Sequence, residues 1–200
     1  MNQKHFPPKL SRITSGSLLC LLLSLSFSGC QQDVVHQRSI AELNQKAQSM
    51  MQAGDYDGAI SRLEAAHDLE PDEPNTTYNL AVAYQTKGEY EKAIGIFSQL
   101  LQKPGPEGSP MSAAQIHKDL GITYEAQADK LEADAKALTE KPKADASKAQ
   151  LLMQQSNSAL QSAMEHYKQA LPGVKDPDAL NAQIQAIETK LKKSTPGAQP

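Results

Sequence analysis

The phrase Gly-[Asp/Glu]-Tyr-x-x-Ala-Ile occurs twice, as Gly54-Asp55-Tyr56-Asp57-Gly58-Ala59-Ile60 and as Gly88-Glu89-Tyr90-Glu91-Lys92-Ala93-Ile94, 34 residues apart. A fixed period of this length confines a chain to a repeat architecture, in which each unit buries its apolar face against its neighbours. The register extends outward from the phrase. Leu43, Ala47, Met50, Leu63 and Ala66 lie 34 residues before Thr77, Ala81, Tyr84, Phe97 and Leu100.

A third unit opens with Leu120-Gly121-x2-Tyr124 and closes with Ala163-x3-Tyr167-x2-Ala170-Leu171. With Leu80-Ala81-x2-Tyr84, Ala93-x3-Phe97 and Pro104 in the second unit, and Ala59-x3-Leu63 and Pro71 in the first, the pattern resembles the tetratricopeptide repeat. The first unit departs from the family at Lys46, where leucine is usual, and at Met50, where tyrosine is usual. The resemblance implies an all-α fold: a short solenoid of helical hairpins, about three units, ended by a C-terminal capping helix. Family members usually bind other proteins rather than transform substrates.

The third unit is irregular in two places. It starts 40 residues after the second, because Lys103 to Pro110, with three prolines and two glycines, lengthens the link by six residues and stops the preceding helix. Inside the unit, Tyr124 and Ala163 are 39 residues apart, whereas Met50–Ala59 and Tyr84–Ala93 are 9 apart, so about 30 residues enter at the turn. The insert is rich in Ala, Gln, Lys, Glu and Leu, which favour helix. Tyr124, Ala128, Leu131, Ala135 and Leu138 form one stripe, and Ala146, Ala149, Met153, Ser156, Leu160, Ala163, Tyr167 and Ala170 another. The expectation is that both helices of this unit are extended by roughly four turns, meeting at a tip near Lys141-Pro142-Lys143 and projecting ~20 Å. A disordered polar loop is the alternative.

After Leu171, Pro172-Gly173 breaks the helix, and Asp176-Pro177 restarts one as N-cap and first helical residue. Leu180, Ile184, Ile187 and Leu191 give that capping helix one apolar face. The predicted organisation is therefore a signal peptide over 1–29, a lipidated tether over 30–38 and a helical domain over 39–193. Its units are 40–73, 74–104 and 111–172, the last with the inserted hairpin at about 126–157, followed by the capping helix 176–193 and a tail 194–200.

The N-terminal assignment rests on Lys4, Lys9 and Arg12 without an acid, followed by the apolar run of residues 18–27. That run is shorter than the ~20 residues a bilayer span requires and has the order of a secretory signal. Phe27-Ser28-Gly29-Cys30 resembles the bacterial lipobox, with Phe27 in place of the usual aliphatic residue. This resemblance implies a diacylglycerol thioether and an N-acyl chain on Cys30, since stable anchoring requires more than one chain. An ordinary signal peptide with an incidental cysteine is the alternative; Cys20, inside the apolar run, is a poorer acceptor. Gln31 after the cysteine favours the outer membrane under the enterobacterial sorting rule, so the expected location is the bacterial cell envelope, on the periplasmic face of the outer membrane if the host is Gram-negative.

Loss of residues 1–29 leaves 17 basic and 23 acidic residues, a net charge of −6. No basic patch interleaved with aromatics is present, which argues against a nucleic-acid partner. His36, His67, His117 and His166 have no metal-ligand spacing, and no GxSxG, P-loop or GxGxxG motif occurs. The chain therefore reads as a non-enzyme without a cofactor beyond the covalent lipid on Cys30. His117 stands where the family often has tryptophan and is expected to pack; His67 and His166 are expected on solvated helix faces.

In the family the first helix of each unit lines a concave groove for extended peptides or partner helices. Repeat alignment carries that role to Asn44, Gln48 and Met51, to Tyr78, Asn79, Val82 and Gln85, and to Lys118, Ile122 and Glu125. Asn and Gln can bond a peptide backbone, and Tyr78 joins apolar area to a polar tip; the alternative for each is plain exposed helix. Lys118 is the only cation of the set, so a groove that clamps carboxylates through several basic residues is not indicated. The expected function is a lipid-anchored scaffold that binds a protein or peptide in the envelope and assists assembly of a pilus, secretion or cell-wall complex. Other classes stay open: a homo-oligomeric structural module built on the hairpin, or a regulatory subunit of a peptidoglycan enzyme.

Overall fold

The structure is a computed structural model that describes residues 37–140 and 145–194. The signal peptide, Cys20, Cys30, the tether through His36, the tip Lys141-Pro142-Lys143 and the tail 195–200 lie outside the described residues. The compact unit opens at Ile40.

Among the described residues the chain is all-α, a short solenoid of helical hairpins. Helix α1 occupies 37–52. It is followed by α2 (Tyr56–Leu69), α3 (Pro74–Lys87), α4 (Tyr90–Leu100), α5 (Ala113–Thr139), α6 (Ala146–Ala170) and α7 (Pro177–Ser194), with a 3-10 turn at Leu171–Gly173. Consecutive helices pack, α5 with α6 most extensively.

The repeated phrase has a local physical reason in each of its positions. Gly54 and Gly88 adopt φ of 79° and 87°, a left-handed turn that costs other residues a steric penalty. Asp55 and Glu89 follow as N-caps of α2 and α4; the Asp55 carboxylate accepts from Gly58 N at 2.9 Å. Ala59 and Ala93, fully buried, let the second helix of each unit approach the first closely. Lys87 ties the two copies together by pairing with both Asp57 (2.6 Å) and Glu89 (2.5 Å) at the surface.

Two apolar clusters form the core. One joins units one and two to the start of α5 through Leu63, Leu80, Phe97, Ile116 and Leu120. The other joins α5, α6 and α7 through Leu160, Tyr167, Leu180, Ile184 and Ile187. Half-buried Tyr124 packs against both, so α5 is the element shared between them.

Helix α5 has 27 residues against 14 in α3, an excess worth ~20 Å of helix. Together with α6 it forms the extended third hairpin, held by an inner seam of small residues at Ala128, Ala135, Ala149, Ser156 and Ala159. The Ser156 hydroxyl, buried in that seam, donates to the Ala128 carbonyl at 3.0 Å. Asp145 caps α6 by accepting from Lys148 N at 3.0 Å. Asp176 caps α7 by accepting from Ala179 N at 3.1 Å, with Pro177 as the first helical residue.

Candidate functional site

The first helices of the units stand side by side and are joined by a polar ladder. Asn44 donates to Thr76 Oγ1 at 2.7 Å and accepts from Asn79 Nδ2 at 2.9 Å. Tyr78 Oη donates to Asp119 Oδ2 at 2.8 Å. Gln85 Nε2 donates to the Asp119 carbonyl at 3.1 Å and to Thr123 Oγ1 at 2.7 Å. These amides sit between adjacent helices, half-buried and already bonded. Asn44, Asn79 and Gln85, expected to meet a peptide, are thus also bonded in register between units, with both amide protons of Asn44 and of Gln85 taken.

The other groove positions divide differently. Met51 and Val82 are half-buried against the core. Glu125 accepts from Tyr167 Oη at 2.9 Å, which joins α5 to α6. Gln48 is exposed and Ile122 is 37% exposed. Tyr78 and Lys118 line a cleft of about 830 Å³.

The cleft is built from four segments. Tyr78 of α3 with Gln115 and Lys118 of α5 form its floor, Lys175 to Gln183 at the start of α7 form one wall, and Gly108 to Ser112 of the long link form the other. The link is positioned by Gly105 N donating to the Met111 carbonyl at 2.7 Å and by Gly108 at φ 80°. Gly173 is required beside it, because a side chain there would collide with Ala114. The Pro-rich link, read in the sequence as a helix stop, thus shapes the site, and the capping helix occupies the place of a further first helix.

Lys175 gives the cleft a second cation beside Lys118, which amends the reading of a single one. The carboxylate of Asp176 is turned to the α7 backbone. Asp119, 8% exposed, accepts from Tyr78 and from Gln115 Nε2 (3.0 Å). Its pKa is nonetheless raised, burial outweighing those hydrogen bonds and Lys118. Burial, then Asp119, raises the Tyr78 hydroxyl in turn. Gln115, Asp119 and the α7 residues were missed in the sequence because their helical faces become neighbours only through packing.

His166 is also corrected. It is half-buried, its Nδ1 lies 3.0 Å from His117 Nδ1, and the Tyr124 ring lies parallel to it at 5.5 Å. Burial lowers the pKa of both imidazoles. His67 is half-buried beside Thr77, 3.4 Å from its hydroxyl. Among the described residues no three His, Cys, Asp or Glu side chains gather as metal ligands, and no helix is long and apolar enough to cross a membrane.

Geometry of this kind defines a repeat solenoid, a class that presents extended surface to partners and is typically a non-catalytic scaffold. Residues 50–115 match the family model of the tetratricopeptide repeat, from the end of α1 through unit two to the start of α5. Repeats of that family generally mediate protein–protein interaction. No curated protein matches the chain.

Proposed function

We propose that the chain is a lipid-anchored scaffold of the bacterial cell envelope, exported by residues 1–29, acylated at Cys30 and docking a protein or peptide partner along the first helices of its repeats. Assistance in assembling a pilus, secretion or cell-wall complex is the process this architecture suits. The observation that carries the binding part is the cleft beside Tyr78 and Lys118, bounded by α7 and the long link. Its lining is more apolar than polar, with Tyr78 and Gln115 held in place by their bonds to Asp119, which is the composition of a binding cleft.

The anchor and the binding surface are tested in one strain. A photoreactive residue replacing Lys118 or Gln183 should crosslink one envelope protein, while the same probe at Arg62, exposed on α2 outside the cleft, should not. Fractionation of the Cys30→Ser variant should move the chain from membranes to the soluble fraction and abolish its labelling by palmitate. Equal crosslinking from all three positions removes the cleft from the proposal; unchanged membrane partition and labelling removes the anchor.

A second reading, self-association through the hairpin, is favoured by Leu151. That side chain is 52% exposed beside Leu131 and Tyr124, along a shallow cleft of about 570 Å³ on the hairpin flank. A monomeric mass by light scattering would sink this reading and leave the first intact.

A further inference from the structure

The His117–His166 pair has a geometry that decides what it holds. The two Nδ1 atoms are 3.0 Å apart while the ring centres are 5.3 Å apart, and the planes differ by 28°. The 2.3 Å between those separations is about two ring radii, so the rings meet end to end with their nitrogens on the line between centres. A metal ion held between two facing nitrogens would keep them ~4 Å apart, from bonds of about 2.0 Å each. At 3.0 Å the pair holds a proton: one ring donates N–H and the other accepts.

That bond tolerates one additional proton and not two. An imidazolium can donate to a neutral imidazole, but when both rings are charged both nitrogens carry N–H and neither accepts. Two cations then face each other at hydrogen-bond distance. The pair lies at the root of the extended hairpin, near the start of α5 and the end of α6. His117 adjoins Lys118 and Asp119, which belong to the cleft and the polar ladder.

We propose that His117 and His166 form an acid-sensitive clasp, which closes the root of the α5–α6 hairpin while the rings share a proton and opens it when both are charged. The surroundings leave the pair to its own chemistry. Glu165 on α6 favours a proton on His166, His117 opposes it, and the Tyr124 ring of α5 lies parallel to the His166 ring at 5.5 Å. Burial is the leading cause of shift for both rings and opposes charge. A base whose folded pKa is depressed adds stability that is present above its ordinary value of 6.5 and is lost as pH falls through the lowered one. The clasp is therefore closed at neutral pH and released on acidification.

The test is hydrogen exchange of the full-length chain at pH 7.5 and 5.0, corrected for the intrinsic rate. Opening of amides at the α5 start and the α6 end should rise roughly tenfold more than in α2 and α3, the equivalent of one pKa unit. The double variant His117→Asn with His166→Asn keeps an amide group near each Nδ1 position and cannot titrate, so it should lose this acid-dependent excess. An equal rise in all helices, or an excess unchanged in the double variant, overturns the proposal. A readout independent of the variant is the NMR titration of the two wild-type rings. Coupled titration in two separated steps is expected, and two independent curves near 6.5 overturn the clasp.

Discussion

Tyr78 and Asp119 repeat, one unit further along, the bond that joins Asn44 to Asn79. Tyr78 lies 34 residues after Asn44, and Asp119 lies 40 after Asn79 because the link before the third unit is six residues longer. The same two helical positions thus meet at both junctions, although the residue types differ. An amide pair serves the first junction, and a phenol and a buried carboxylate serve the second. Register along the solenoid is maintained through the long link by this contact and by Gln85 reaching Thr123.

Removing the donor should expose the cost of the second junction. Tyr78→Phe leaves the buried Asp119 with Gln115 as its remaining side-chain donor, and the loss should be about 1–3 kcal/mol by urea denaturation with unchanged slope. An effect indistinguishable from zero would mean that water replaces the phenol.

Asp119 itself should behave in the opposite sense. Its raised pKa means that the folded chain binds more protons than the unfolded chain between 3.8 and the raised value, so its contribution to stability falls as pH rises through that window. Asp119→Asn keeps one acceptor and removes the charge. At neutral pH the variant should lie within about 1 kcal/mol of wild type or above it. The stability difference between wild type and variant should shift toward the variant from pH 4 upward, and a difference independent of pH would refute the assignment.

Helical glycines give a paired prediction in which sign separates packing from propensity. A side chain at Gly121 would run into the ring of Tyr167, which is fully buried and held at its far end by Glu125. Overpacking of about 1–3 kcal/mol should outweigh the ~1 kcal/mol that alanine gains over glycine in a helix, a net loss of up to about 2 kcal/mol. Gly95 in α4 has nothing near its missing side chain, so Gly95→Ala should gain up to ~1 kcal/mol. Thermal or urea melts of the two variants should move in opposite directions.

The fold was legible because local rules and the global pattern agree. Gly54 and Gly88 mark left-handed turns, Ala59 and Ala93 mark close crossings, and the unbroken stripe from Tyr124 to Leu138 marks a helix too long for an ordinary unit. What the sequence concealed is lateral. Periodicity places Asn44, Asn79 and Gln85 on one side of their helices but carries no distance to the adjacent helix, so bonded amides and free ones look alike. His166 read as solvated for the same reason, since its partner is 49 residues away on another helix. The cleft required knowing that Lys175 and the Pro-rich link return to Lys118, a contact between segments with no shared motif.

The hairpin should open from its tip. Near the root, α5 and α6 bury Leu160 and Tyr167, with Tyr124 half-buried beside them, whereas the buried residues of the outer seam are Ala135 and Ala149, with Leu151 largely exposed. Burial free energy follows apolar area, and alanine pairs supply little of it. Local opening should therefore cost less in the outer turns than near the root. Hydrogen exchange at neutral pH, where the histidine clasp is closed, should find amides of 132–139 and 147–152 at least tenfold less protected than those of 116–124, a gap of about 1.4 kcal/mol or more. The lysine–aspartate pair of Lys190 and Asp129 at 2.9 Å marks how far α7 braces α5, and protection should decline beyond it. Uniform protection along the whole of α5 would mean that the hairpin opens only with the body of the repeat, and would refute the graded account.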